Sequence, residues 1–217
     1  MRFRSLLRYL FTGLFGLCMH IVVYGEVQEL DSLRLHFHFR LGDDKVDLTY
    51  RDNQRNVAEF IDGVKCLVAD TTLDILSMNV VCSASPEGNP TKNKLLALDR
   101  ASKLRSFLIQ SSGFDPRKVK AYSLGIDWYG LVGWLERSDW AHRSQVLDVL
   151  HRYEETGYTQ TQQIITQLKS LEKGRLWQWM LTNVYPDLRQ GTASVSLLIN
   201  NKITPPNQFL EMLSCQA

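Results

Sequence analysis

The stretch from Cys82 to Leu108 constrains this chain more than any other. An apolar segment, Ile75 to Val81, leads into it, and a turn cluster, Ser85-Pro86-Glu87-Gly88, interrupts it. Asn89 then precedes Pro90, which pairs an N-cap side chain with a proline at the first helical position. Ala97, Ala101, Leu104 and Leu108 recur at helical spacing, so one face of the following helix is apolar. Ser111-Ser112-Gly113 ends that helix, with Gly113 in the capping role. A strand, a tight loop and a helix in this order bring polar groups to the strand's carboxyl end, where small anionic groups are readily held.

On either side the pattern remains that of an α/β chain. Leu33, Leu35, Phe37 and Phe39 alternate with Arg34, His36, His38 and Arg40, which predicts a half-buried strand over 33–40. His36 and His38 share a face, but no third ligand has suitable spacing, so surface histidines are expected rather than a metal site. Gly42 to Tyr50 reads as a polar loop; Asp43, Asp44 and Asp47 lack the twelve-residue calcium pattern. A helix is expected from Asp52 to about Asp70, with Val57, Phe60, Ile61, Val64, Leu67 and Val68 as its stripe. The second strand is expected over 73–82. The nearly continuous apolar run inside it predicts a central position covered on both faces. Further strands are expected near 118–124 and 192–199.

About 65 residues lie between Asp127 and Thr192, far more than an ordinary connection. They carry helical sets: Leu131, Trp134 and Leu135; then Val146, Leu147, Val149 and Leu150; then Ile164, Ile165, Leu168 and Leu171; then Leu176, Trp177, Trp179, Met180 and Val184, stopped by Pro186. Trp128, Trp134, Trp140, Trp177 and Trp179 all fall here. They are expected to form the segment's own core; the alternative is a partner-facing or sugar-facing aromatic surface.

Length, 217 residues, suits one domain with an insertion, and five tryptophans and eight tyrosines argue against disorder. The amino terminus has Arg2, Arg4 and Arg8, an apolar stretch from Tyr9 to Tyr24, and small residues before Glu26, which predicts a signal peptide over 1–25 and export. An uncleaved anchor is the alternative, but the stretch is short and contains glycines. Cys18 follows Leu17, too large a residue for lipoprotein cleavage. The leader holds three of the 25 basic residues and none of the 23 acidic ones, which leaves 22 against 23. That balance gives no electrostatic case for nucleic acid. Cys66, Cys82 and Cys215 match no zinc spacing; Cys66 and Cys82 are expected to be buried as small apolar groups, with a disulfide between them as the alternative.

Asn93, Leu96, Arg100 and Ala101 resemble the N-x-x-L-x-x-x-R-A signature of the OmpA-like domain. Ala84 to Asn89, Asp127-Trp128-Tyr129-Gly130-Leu131, Glu136 to Asp139, Val146-Leu147-Asp148 and Tyr185 to Arg189 together resemble a subgroup of that family from Bacteroidetes. The resemblance implies a βαβαβ(helical insertion)β two-layer sandwich over residues 30–200, with the insertion at about 127–190 and a tail at 201–217. It also implies a cell-envelope protein, periplasmic or outer-membrane associated, that binds peptidoglycan without catalysis and without cofactor or metal. In that family an aspartate takes the ammonium of the stem peptide's diamino acid and the arginine takes its carboxylate. Here the implied binding residues are Ser85, Glu87, Asn93 and Arg100. Ser85 stands at the aspartate position and cannot neutralise an ammonium; Glu87 is the nearby carboxylate. Of the basic N-R-R-V-x-V sequence that precedes the family's last strand, only Arg189 is left.

Two functions are therefore expected from different classes. One is binding of peptidoglycan stem peptide through Arg100. The other is a protein-interaction module in an outer-membrane or surface-appendage assembly that keeps the fold without that ligand. An enzyme is the third reading, and the chain offers it no nucleophile elbow, metal cluster or phosphate loop.

Overall fold

The computed structural model describes residues 27–71 and 73–198; the expected signal peptide and the tail at 201–217 lie outside them. The elements in chain order are β1 (Val27–His38), α1 (Asn53–Ala69), β2 (Asp74–Ala84), α2 (Pro90–Ser112), β3 (Val119–Ile126), α3 (Trp128–Arg137), α4 (Arg143–His151), α5 (Thr161–Ser170), α6 (Arg175–Asn183) and β4 (Gln190–Leu198). One mixed sheet has the order β1-β4-β2-β3. The last strand enters between the first two and runs antiparallel to both, while β2 and β3 are parallel. This is the expected βαβαβ(helical insertion)β sandwich.

Local signals set the boundaries of α2. The Asn89 side chain accepts a hydrogen bond from the Lys92 N–H at 3.1 Å, and Gly113 ends the helix in the left-handed region at φ 72°. Both were legible in the sequence because they rest on near neighbours. Both α1 and α2 pack on one face of the sheet. Val57, Phe60 and Val64 of α1 and Ala101, Leu104 and Leu108 of α2 meet the inward residues of all four strands. Burying a large apolar side chain of this kind is worth roughly 1.5–3 kcal/mol.

The expectation for β2 needs correction. The strand is central, but helices cover only one of its faces. Met78, Val80 and Cys82 are buried, whereas Asn79 and Val81 are half-buried and Leu76 is 41% exposed. The register against β4 shifts between Ile75 and Ser77, which makes Leu76 the extra residue of a bulge. A bulge reverses the inward and outward alternation. The continuous apolar run records that reversal and not burial on two sides. The first strand also starts earlier than its alternating pattern, at Val27.

The segment between β3 and β4 buries its own second core. Leu131, Leu135, Leu150, Ile164, Leu168 and Met180 are fully enclosed there. Trp128 and Trp177 lie inside this core, while Trp134, Trp140 and Trp179 pack at its margin. Trp140 and Trp179 stack at 4.1 Å with 7° between their planes. Among the described residues no helix is long and apolar enough to cross a membrane. No disulfide joins Cys66 and Cys82. Cys66 is only half-buried; burial pushes the Cys82 thiol up to about 12 and keeps it an inert, apolar group.

The carboxyl end of β1 is held on its free edge by two side chains of α1, Asn56, which donates to the His36 carbonyl at 2.9 Å, and Asn53. Asn53, fully buried at the start of α1, donates to the carbonyls of His38 and Asp47 and accepts from the His38 N–H, each at 2.8 Å. Asn53→Ala strands three backbone groups and should lower unfolding stability by about 2–4 kcal/mol in urea titration; a loss under ~0.5 kcal/mol would show that the edge does not need the clamp.

His38 itself is partly desolvated and faces Arg51, and both effects hold its imidazole below the usual histidine range. The unfolded chain therefore takes up this proton before the folded one. Stability present above about pH 6.5 should be lost as pH falls through the lower folded value. His38→Gln should flatten that part of the pH–stability curve.

Candidate functional site

The carboxyl end of β2 gives way to the loop Ser85 to Asn89, and α2 starts directly behind it. Asn93, one turn into α2, donates through its amide nitrogen to the carbonyls of Ser85 at 3.0 Å and Glu87 at 2.8 Å. It fixes the shape of the loop that it follows. Seven residues on, Arg100 comes off the same helix face.

Arg100 is fully buried. Its Nε donates to the Asp43 carbonyl at 2.8 Å, Nη1 to the Ser83 carbonyl at 2.8 Å, and Nη2 to the Arg40 carbonyl at 2.9 Å. Its guanidinium also sits 4.8 Å from the centre of the Phe39 ring. Burial pulls its pKa down to about 10, so it remains a cation at neutral pH. Arg100 thus reaches the end of β2 at the Ser83 carbonyl. Each of its three nitrogens is engaged by backbone.

Glu87 does not turn toward Arg100. It pairs with Arg189, which immediately precedes β4: Arg189 Nε donates to Ser85 Oγ and to Glu87 Oε1, both at 3.1 Å, and Nη2 also bonds Glu87 Oε1. The Arg189 side chain is 9% exposed and that of Glu87 17%. The Arg189 carbonyl in turn accepts from the Phe39 N–H at 2.8 Å. Tyr185 is fully buried nearby. Burial, aided by the Glu87 charge, raises its phenol far above the usual range. Neither the Tyr185 hydroxyl nor Glu87 Oε2 has a hydrogen-bond partner among the described residues.

Ser85, Glu87 and Asn93 therefore meet at one corner with Arg189, near Tyr185, whereas Arg100 bonds the backbone of Ser83, Asp43 and Arg40 instead of these groups. Sequence reasoning singled out Arg189 only as a remnant of a basic motif and did not assign it to the site. Its position just ahead of the last strand was the available signal, because β4 lies beside β2. Gly191 makes this closeness possible. A Cβ there would lie 2.8 Å from both Cys82 Sγ and Leu104 Cδ2. Chemically, the corner offers one arginine already neutralised by a carboxylate, and one carboxylate oxygen with unused acceptor capacity. Among the described residues no group of three His, Cys, Asp or Glu could hold a metal ion.

No protein-family model matches the chain, and no curated protein does. Among solved structures it is similar to the peptidoglycan-associated lipoprotein from Burkholderia pseudomallei, with 20% sequence identity and a TM-score of 0.34, over 42% of this chain and 70% of that one. A likeness this slight carries no argument about ligand or role.

Arg100 ties the loop after β1 to the end of β2, and its removal strands three carbonyls at once. Arg100→Ala should cost about 3–5 kcal/mol of unfolding free energy. Arg100→Lys should recover only part, since an ammonium lacks the planar fork that meets three diverging acceptors. Urea denaturation with unchanged midpoints for both variants would show that the clamp is dispensable.

Proposed function

We propose that this chain is a non-catalytic interaction domain of the cell envelope, built on an OmpA-like sandwich, whose stem-peptide corner is closed from within. Its partner is an envelope or surface-assembly protein. The N-x-x-L-x-x-x-R-A motif and the sheet order support the fold reading, and the leader expected over 1–25 supports export. The observation that carries the loss of stem-peptide binding is the Glu87–Arg189 ion pair, formed while Arg100 is held by three carbonyls. A ligand carboxylate would have to displace Glu87. Charge-assisted bonds of this kind are worth about 1.5–3 kcal/mol each, so self-occupation lowers affinity by roughly one to two decades.

The second reading keeps stem-peptide binding in altered form. It is favoured by the unpartnered Oε2 of Glu87, which could accept from a ligand ammonium while the ligand's carboxylate takes Arg189. Retention on purified sacculi, with and without competing stem peptide, separates the two. The wild-type chain should be retained weakly and without competition. Glu87→Ala should expose Arg189 and increase competed retention at least about tenfold. Strong competed retention of the wild type, abolished by Arg189→Ala, would establish the second reading and sink the first.

A further inference from the structure

A groove of about 780 Å³ lies between the start of α2, the end of β3, the start of α3 and the 157–161 turn, with none of Ser85, Glu87, Asn93 or Arg189 in its lining. Its volume falls within the range of small-ligand sites. Its floor is shaped by a second bulge: Cys82 pairs with Ser123 but Ser83 pairs with Gly125, so Leu124 is the extra residue. Gly125, at φ +64°, takes the left-handed backbone that this bend needs. Leu124 is pushed outward and is 57% exposed.

Two tyrosines form the wall. Tyr129, in the first turn of α3, is 63% exposed, and it meets Tyr158 in a T-shaped contact at 5.0 Å that fixes its ring. Tyr158 is 2% exposed and backs the Tyr129 ring within the same lining, with its hydroxyl buried. Thr91 and Thr159 add exposed polar side chains to the lining. Lys94 and Asp127 are its charged residues, and their charges offset. Asp127 also caps α3, its Oδ1 accepting from the Gly130 N–H at 2.7 Å.

This combination selects a ligand chemistry. Balanced charge gives a polyanion or polycation no advantage, and the lining sets hydroxyls beside a larger apolar surface, a mixture that suits a guest with both kinds of face. A pyranose has C–H bonds on one face and hydroxyls around its edge. The negative face of an aromatic ring attracts the former, and side-chain hydroxyls pair with the latter. We propose that the groove is a saccharide-binding site, with Tyr129 stacking on a sugar ring and Thr91 and Thr159 bonding its edge, and that its ligand is a neutral linear hexose-type chain.

Isothermal titration of the mature chain with linear tetramers of N-acetylglucosamine, glucose and mannose tests this. At least one tetramer should bind at millimolar concentration or below. Tyr129→Ala, an exposed position, should weaken that binding by roughly fivefold or more, while Tyr129→Phe should retain it. Tyr122→Ala, an exposed aromatic outside the groove, should leave it unchanged. Absence of binding by all three tetramers overturns the proposal, as does equal binding by wild type and Tyr129→Ala. Stem-peptide competition reports on the Glu87 corner and tetramer titration on the groove, so the two proposals fail separately.

Discussion

The buried guanidinium of Arg100 is the interaction on which the shape of this molecule turns. A cation in the interior is tolerated only where its donors are met, and here three backbone carbonyls and an aromatic face meet them. Those carbonyls belong to the loop after β1 and to the end of β2, two strands that do not touch in the sheet. The strand lying between them is β4, which arrives last in the chain. Arg100 therefore joins, across the end of the sheet, the two strands between which β4 lies. The Arg189 carbonyl, bonded to the Phe39 N–H, completes the join.

The same economy of polar groups shapes the corner around Glu87. Asn93 fastens the Ser85–Glu87 loop to its own helix, and Arg189 fastens it to β4. Ser83 adds a bond from its hydroxyl to the Leu188 carbonyl at 2.8 Å. The loop is thus held from both sides, and the charged groups within it are matched to one another. Glu87 Oε2 and the Tyr185 hydroxyl are the exceptions. Unsatisfied buried groups carry a cost, and in a corner otherwise so fully bonded they mark the point of weakest internal fit.

The helical segment between β3 and β4 folds about a core of its own, and polar and backbone contacts join it to the sandwich. Arg51 pairs with Asp187 at 2.8 Å, and the Asp127 N–H bonds the Ala84 carbonyl at 3.4 Å. The aromatic residues divide between inside and margin. Trp128 and Trp177 supply apolar area to the core, and Trp134, Trp140 and Trp179 close its rim. Tyr129, by contrast, stands out into the groove at the junction of the two parts.

By itself the sequence determined what depends on near neighbours. The cap at Asn89, the stop at Gly113, the alternation from Leu33 to Phe39 and the helical stripes were all readable, because each is enforced by period or by a bond spanning a few residues. It also placed Asn93 against the Ser85–Glu87 loop, since strand, loop and helix leave little freedom over that distance. Tertiary structure decided the rest. The bulge at Leu76 looked like a buried run because register is set by a strand more than a hundred residues away. The partner of Glu87 could not be read from spacing, because Arg189 reaches it only through the pairing of β4 with β2. Whether Arg100 faced solvent or backbone likewise depended on the loop after β1 folding over it. Local chemistry fixed which residues could act; long-range pairing chose their partners.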